Sequence, residues 1–202
     1  MIQAIIELDE FFQRRGKLFQ TLQKLVQGLS RAEIDYAVVG GMALVFHGYV
    51  RATQDIDVLL TPEGLKTFQR ELVGRGFVPA FSGAKRMFRD AENGVVVEFL
   101  VTGEFPGDRR PKAICFPNPV VAAIERDGIW IIQLNALIEL KLASGLSSSD
   151  RLKDLGDVQE LIRTLKLSRS LAGQLDESVR DGFLQLWDGI ERAGHERLDV
   201  ER

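Results

Sequence analysis

The spacing of apolar residues predicts an amphipathic helix near the start of the chain. Between about Phe11 and Arg31, leucines recur at positions 18, 22, 25 and 29, which is the period of one helix face. The apolar run at 36–39 then predicts a short buried strand that ends at Gly40-Gly41. A small apolar helix is expected at 42–47, with a second buried strand at 56–60.

Proline and glycine positions predict the next boundaries. Pro62 suits the first turn of a helix that runs to about Arg75, and Gly76 suits its end. Three short strand-like runs follow at 77–81, 85–89 and 95–101. The Asn93-Gly94 pair between the last two runs is typical of a hairpin turn, so antiparallel pairing is expected there.

The remainder of the chain is predicted to be a loop at 102–119, a strand at 129–132, and then helices only. The helices are expected at about 135–143, 149–165 and 176–192. These elements predict a mixed α/β fold (α+β) in which helices flank a small sheet. We expect an α/β core at 1–132 and a helical C-terminal segment at 133–202.

Composition narrows the class of protein without identifying it. The chain has 202 residues with 45% hydrophobic and 27% charged residues, which excludes a disordered chain and supports a sizeable core. The formal net charge of -3 excludes a strongly basic nucleic-acid coat, although a local basic cleft remains compatible with it. One cysteine, no long apolar run and an acidic start at Glu7, Asp9 and Glu10 predict a cytoplasmic protein without a membrane segment.

Two aspartates at the predicted second strand form the strongest chemical signal. Side chains alternate faces along a strand, so Asp55 and Asp57 project from one face about 6–7 Å apart, while Ile56 points the other way. Two carboxylates on one face can hold divalent ions, and Mg²⁺ prefers such oxygen ligands together with substrate phosphates.

The diglycine provides the complementary half of a nucleotide site. Gly40 and Gly41 lie between a strand and a helix, where backbone without side chains can approach a phosphate closely. Glu98 is a candidate third carboxylate, because an acid within a β-branched run is costly to bury unless it binds something. Arg51 and Thr53, just before the acidic pair, are candidates for holding the loop or a phosphate oxygen.

These residues resemble the nucleotidyltransferase superfamily typified by DNA polymerase β. The diglycine, the spacing and Asp55-Ile-Asp57 carry that resemblance, and the longer pattern Gly-Gly-Met-Ala-Leu followed by Arg-Ala-Thr-Gln-Asp-Ile-Asp is similar to minimal nucleotidyltransferases of the AbiEii toxin-like family. Two C-terminal stretches, Glu-Leu-Lys-Leu at 139–142 and Arg-Leu-Lys-Asp-Leu-Gly-Asp at 151–157, are similar to that family's helical motif. The resemblance covers roughly residues 33–165.

The resemblance implies roles for individual residues. Asp55 and Asp57 would be ligands of Mg²⁺ or Mn²⁺, with Glu98 as a third metal ligand or as the base for the attacking hydroxyl. Gly40 and Gly41 would cradle the triphosphate of a nucleoside triphosphate, Lys141 would bind phosphate, and Asp154 would lie close to the site. The implied reaction transfers a nucleoside monophosphate to an RNA end, a protein or a small molecule, in a toxin–antitoxin or phage-defence setting.

Several alternatives remain open from the residues. Glu98 could be a surface acid on an edge strand, Lys141 an ordinary exposed helix lysine, and Lys153 and Asp157 an i,i+4 ion pair. The basic residues at 85, 86, 89, 109, 110 and 112 could be solvated surface or the rim of an acceptor site. The whole chain could also be a non-catalytic binding module that acts as an antitoxin or a regulatory partner.

Overall fold

A computed structural model describes residues 16–200 of the chain, with side chains described as far as residue 193. The part of the predicted first helix before Gly16, and the acidic residues Glu7, Asp9 and Glu10, lie outside the described residues. The described helices are α1 (Gly16–Arg31), α2 (Gly40–Phe46), α3 (Pro62–Glu71), α4 (Pro119–Ala122), α5 (Leu134–Ser147), α6 (Leu152–Leu165) and α7 (Glu177–Val200). Short 3₁₀ turns precede α6 and α7 at Ser149–Arg151 and Arg169–Gln174.

Seven strands form one mixed sheet, which confirms the predicted α/β class. They are β1 (Tyr36–Val38), β2 (Asp55–Leu60), β3 (Phe77–Pro79), β4 (Met87–Asp90), β5 (Val96–Val101), β6 (Ala123–Arg126) and β7 (Ile129–Ile132). Their order across the sheet is β3-β4-β5-β2-β1-β7-β6. The β2–β5 and β1–β7 pairs are parallel and the other four pairs are antiparallel, including the β4–β5 hairpin predicted from its turn.

Contacts divide the chain into two compact units. Among the described residues, one unit contains 16–103 together with Phe116–Gln133, and the other contains Glu104–Cys115 together with 134–200. The segment Glu104–Cys115 therefore belongs by its contacts to the helical unit, although strands β6 and β7 follow it in sequence.

The core of the sheet unit forms on the sheet face that carries Ile56 and Val58. The four leucines of α1 predicted from their spacing, at 18, 22, 25 and 29, are all buried. The ring of Phe68 from α3 lies 4.4–5.6 Å, centroid to centroid, from the rings of Phe77, Phe88 and Phe99 on three strands. Such aromatic contacts add to the hydrophobic stabilisation of burial, and they fix α3 against the sheet.

Helix α3 ends four residues earlier than its sequence predicts. The predicted end near Arg75 is wrong because Gly74 adopts a left-handed backbone with φ +80, and its N–H donates to the carbonyl of Phe77 at 2.8 Å. Glycine adopts this conformation without a steric penalty, so the turn begins at the first of the two glycines.

In the helical unit, the loop at 104–115 packs on helix α5. A β-carbon at Gly107 would lie 2.7 Å from the backbone oxygen of Ser144, and Gly107 itself has φ +72, so only glycine fits there. Within the same loop the ammonium of Lys112 donates to the carbonyl of Pro106 at 2.7 Å. Among residues 16–200, no helix is both long and apolar enough to cross a membrane.

Candidate nucleotide and metal site

Strand β2 presents its two aspartates on one face. Ile56 and Val58 are fully buried, whereas Asp55 is exposed and Asp57 is half-buried. The alternation confirms the face assignment made from the sequence, because the apolar residues face the core and the carboxylates lie on the other side. Both acids lie at the start of the strand.

The diglycine lies directly beside the second aspartate. Strand β1 runs antiparallel to β2 with Val38 opposite Val58, and the N–H of Val39 donates to the carbonyl of Asp57 at 2.9 Å. Gly40 follows with φ +59, and a β-carbon on it would overlap the carboxylate of Asp57 at Oδ2. Glycine is therefore required at position 40 for two reasons: its left-handed backbone conformation, and the carboxylate that occupies the place of a β-carbon.

Thr53 holds the other aspartate and explains the second glycine. Its hydroxyl is buried and donates to Oδ1 of Asp55 at 3.0 Å. A β-carbon on Gly41 would lie 2.7 Å from the same hydroxyl oxygen, so the glycine makes room for the threonine. Arg51 lies two residues earlier in the same connection between α2 and β2 and is half-buried.

Glu98 lies next to the aspartate pair on an inner strand. In the parallel β2–β5 ladder Asp57 is in register with Glu98, so both side chains lie on the same face of the sheet. The backbones of the two strands are about 4.8 Å apart. Strand β5 lies between β4 and β2, and the alternative of an edge-strand acid is therefore wrong. Glu98 is half-buried.

The acids provide ligands without forming an enclosed metal cage. Within the part of the chain that the structure describes, no three His, Cys, Asp or Glu side chains are grouped closely enough to hold a metal ion. The donor chemistry nevertheless suits Mg²⁺, which takes one or two carboxylates and completes its shell with water and phosphate oxygens. The fit therefore rests on Asp55 and Asp57, with Glu98 on the neighbouring strand.

Arg89 shares this face and was grouped in the sequence only with other basic residues. In the β4–β5 ladder Met87 pairs with Glu98 and Arg89 pairs with Val96, so Arg89 is a diagonal neighbour of Glu98 on the same side of the sheet. It is exposed. The signal that would have identified it is the hairpin register, which the Asn93-Gly94 turn largely determines.

Lys141 and Asp154 form a separate cluster in the helical unit. The ammonium of Lys141 lies 3.0 Å from Oδ1 of Asp154 and 2.7 Å from Oδ2 of Asp157, and all three residues are buried. Ser144, one helical turn after Lys141, donates to Oδ2 of Asp154 at 2.7 Å. Sequence reasoning missed Ser144, although its i+3 position places it on the same helix face as the lysine.

This cluster corrects the interpretation of Lys141 as an exposed helix lysine. Lys141 is only 7% exposed, whereas Lys153 is on the surface. Asp157 accepts a hydrogen bond from Lys141. Burial alone would raise the pKa of Asp154, but the Lys141 ammonium and the Ser144 hydroxyl outweigh it and hold that pKa below its ordinary value. The structure thus brings the predicted residues together in two groups, one in each unit.

Comparison with solved structures identifies the fold. The chain is similar to ANT(2″)-Ia, solved in complex with adenylyl-2″-tobramycin, with a TM-score of 0.51 and 12% identity over 79% of this chain and 95% of that one. It is also similar to an antigenic nucleotidyltransferase-like protein from Paracoccidioides brasiliensis, with a TM-score of 0.50 and 18% identity over 90% of this chain and 89% of that one. No protein-family profile and no curated protein sequence matches the chain. The chain therefore has the nucleotidyltransferase fold.

Proposed function

We propose that the protein is a nucleotidyltransferase that depends on Mg²⁺ or Mn²⁺ and transfers a nucleoside monophosphate from a nucleoside triphosphate to an acceptor hydroxyl. The observation that carries the proposal is the arrangement of Gly40 against the carboxylate of Asp57, with Asp55 on the same face and Glu98 in register beside it. A turn or a solvated strand end would not need a glycine pressed against an acid.

The metal would be held by Asp55 and Asp57, with Glu98 as a further oxygen ligand. When bound, it neutralises charge on the phosphate oxygens and orients the triphosphate for in-line displacement. Thr53 keeps the Asp55 carboxylate oriented through its hydrogen bond, and ordered ligands of this kind reduce the reorganisation needed at reaction.

The remaining residues bind and position the reactants. Gly40 and Gly41 would cradle the triphosphate through their backbone, and Arg51, in the adjoining loop, would contact a phosphate oxygen. The oxygen of the acceptor hydroxyl attacks the α-phosphorus, and Glu98 accepts the proton of that hydroxyl. The bond between the α-phosphorus and the pyrophosphate oxygen breaks, and pyrophosphate leaves. Arg89, beside Glu98, and the other exposed bases of its hairpin, Lys85 and Arg86, form the rim on the acceptor side.

A cytoplasmic location suits the single cysteine of the chain, and the acceptor would be an RNA end, a protein or a small molecule. The AbiEii-like pattern of residues implies a toxin–antitoxin or phage-defence role with a cognate partner. The same pattern assigns phosphate binding to Lys141 and a place near the site to Asp154. Because the Lys141 ammonium is already held by two carboxylates, we propose that it contributes first to the stability of its own unit.

The test is transfer from labelled nucleotides. The protein is incubated with each of the four α-³²P-labelled nucleoside triphosphates and Mg²⁺ in cell lysate, and the labelled product is identified by its sensitivity to nuclease or protease. We expect a labelled acceptor with the parent protein and none with Asp57→Asn or with chelator present. Equal labelling by the parent and by the folded Asp57→Asn variant would reject the proposed site.

The second candidate is a non-catalytic binding module with the same fold. In that case Asp55 and Asp57 would bind a metal–nucleotide complex without transferring the nucleotide. Metal-dependent nucleotide binding without transfer to any lysate component or to water would support this alternative. An intact pair of aspartates with a third acid in register favours the enzyme.

A further inference from the structure

A cavity lies in the sheet unit, away from the aspartates of β2. It is a groove of about 470 Å³ between the end of α1, the start of β1, helix α4 and strand β7. Its apolar lining includes Tyr36, Val120 and Trp130, of which Val120 is 62% and Trp130 is 45% exposed. A tryptophan and a valine this exposed beside a groove are typical of an interaction surface.

The two charged residues that line this groove are both acidic. Glu33 and Asp35 line it, and Glu125 lies opposite Trp130 in the β6–β7 ladder. Within the described part of the chain no lysine or arginine lines the groove, and the Glu33 and Asp35 side chains form no hydrogen bond or ion pair there. Aromatic faces attract cations, and carboxylates at the rim strengthen that attraction.

Glu33 occupies a backbone position that does not suit glutamate. It follows α1 with φ 53, the left-handed conformation that glycine adopts most readily after a helix. The turn is fixed by hydrogen bonds from the N–H of Glu33 to Ser30 and from the N–H of Ile34 to Leu29. Glu33 is exposed and its backbone is strained, so glycine at this position would stabilise the turn at least as well.

We propose that this groove binds a basic, amphipathic segment of a partner protein. The apolar side chains of the segment would cover Val120 and Tyr36, and a lysine or arginine would lie against Trp130 between the rim carboxylates. A purely apolar occupant leaves two exposed carboxylates beside a desolvated groove, and an acidic occupant is repelled by them. This binding is independent of nucleotide transfer and would persist in an inactive Asp57→Asn protein.

Tryptophan signals provide a direct test in the full-length protein. The chain has two tryptophans, so a ¹⁵N-labelled sample gives two indole N–H resonances, and Trp187 serves as the internal reference. The probe is a short acetylated and amidated peptide of alternating leucine and lysine. We expect a saturable shift of the Trp130 resonance alone, and no shift with the same peptide carrying glutamate in place of lysine.

Variants separate binding from folding. Trp130→Ala should weaken peptide binding by calorimetry about tenfold, as truncation of an aromatic anchor does. Glu33→Gly should weaken binding several-fold while the melting temperature stays at or above that of the parent, because glycine relieves the left-handed strain. The matched control is Lys166→Gly, which changes another left-handed residue (φ 51) that does not line the groove and should leave binding unchanged.

Three outcomes would overturn the proposal. They are a Trp130 resonance that does not respond to the basic peptide, equal binding of the basic and acidic peptides, and unchanged binding by the folded Glu33→Gly protein. A Trp130 resonance that shifts with protein concentration alone, together with a dimer in sedimentation equilibrium, would assign the groove to a second copy of the chain instead.

Discussion

Gly40 has no room for a side chain because the carboxylate of Asp57 occupies the place of its β-carbon. Gly40 begins helix α2 just after strand β1, whereas Asp57 lies on β2, and the hydrogen bond from the N–H of Val39 to the carbonyl of Asp57 fixes their separation. The position of the second aspartate and the conformation of the diglycine therefore determine each other.

Gly40→Ala should lose metal-dependent nucleotide binding. The added methyl group would displace the Asp57 carboxylate, and the left-handed backbone adds a cost of about 1–2 kcal/mol in unfolding free energy. The matched control is Gly83→Ala, at φ +82 with no neighbouring atom within 4 Å, which carries the backbone cost alone. Thermal shifts with Mn²⁺ and a nucleoside triphosphate should disappear only in the Gly40 variant, and a retained shift would contradict the expected contact.

Asp57→Asn should abolish transfer and leave the fold intact. Asparagine keeps the shape of the side chain and loses the charge that holds a metal, while the loss of one of two neighbouring like charges should leave the melting temperature of the metal-free protein equal or higher. The control is Asp150→Asn on the exposed 3₁₀ turn, which should transfer like the parent. Melting temperature and transfer rate are measured on the same preparations.

Lys141→Ala should destabilise the protein by about 3–5 kcal/mol, because it leaves the buried carboxylates of Asp154 and Asp157 without their cation. Lys153→Ala, at an exposed position one helix away, should change the unfolding free energy by no more than about 0.5 kcal/mol. Urea titration of both variants gives the comparison. Equal and small effects would show that the ammonium of Lys141 does not stabilise the helical unit.

Stability should fall as the pH is lowered below about 4. The pKa of Asp90 is lowered although burial opposes it, because the backbone N–H of Glu92 and the side chains of Lys24 and Thr21 favour the carboxylate. Asp90 and Asp154 both have folded pKa values below the ordinary 3.8, so their stabilisation is complete above that pH and is lost as the pH falls through the folded values.

Urea midpoints between pH 7 and pH 3 measure this dependence. The Asp154→Asn variant should be less stable than the parent at pH 7 and lose less of its stability on acidification. A parent protein that became more stable between pH 4 and pH 3 would show that these carboxylates do not control acid unfolding.

Local patterns predicted the two aspartates and the diglycine, because both depend on strand alternation and short-range backbone geometry. Glu98 was predicted as the third carboxylate from its β-branched surroundings. Its register with Asp57 was not predictable, since that depends on β5 inserting between β4 and β2 after a long excursion of the chain. The burial of Lys141 was missed for a different reason. A lysine between leucines on a helix has the pattern of a surface residue unless its partners, 13 and 16 residues later, are known.

The contacts of the Glu104–Cys115 loop also bear on how the chain is made. This loop emerges from the ribosome before α5, the helix on which Gly107 packs, so its contacts cannot form during synthesis of the first half of the protein. A fragment that stops after β7 would carry the loop without the α5 residues on which Gly107 packs. The helical unit is therefore completed only when the C-terminal third of the chain has been translated.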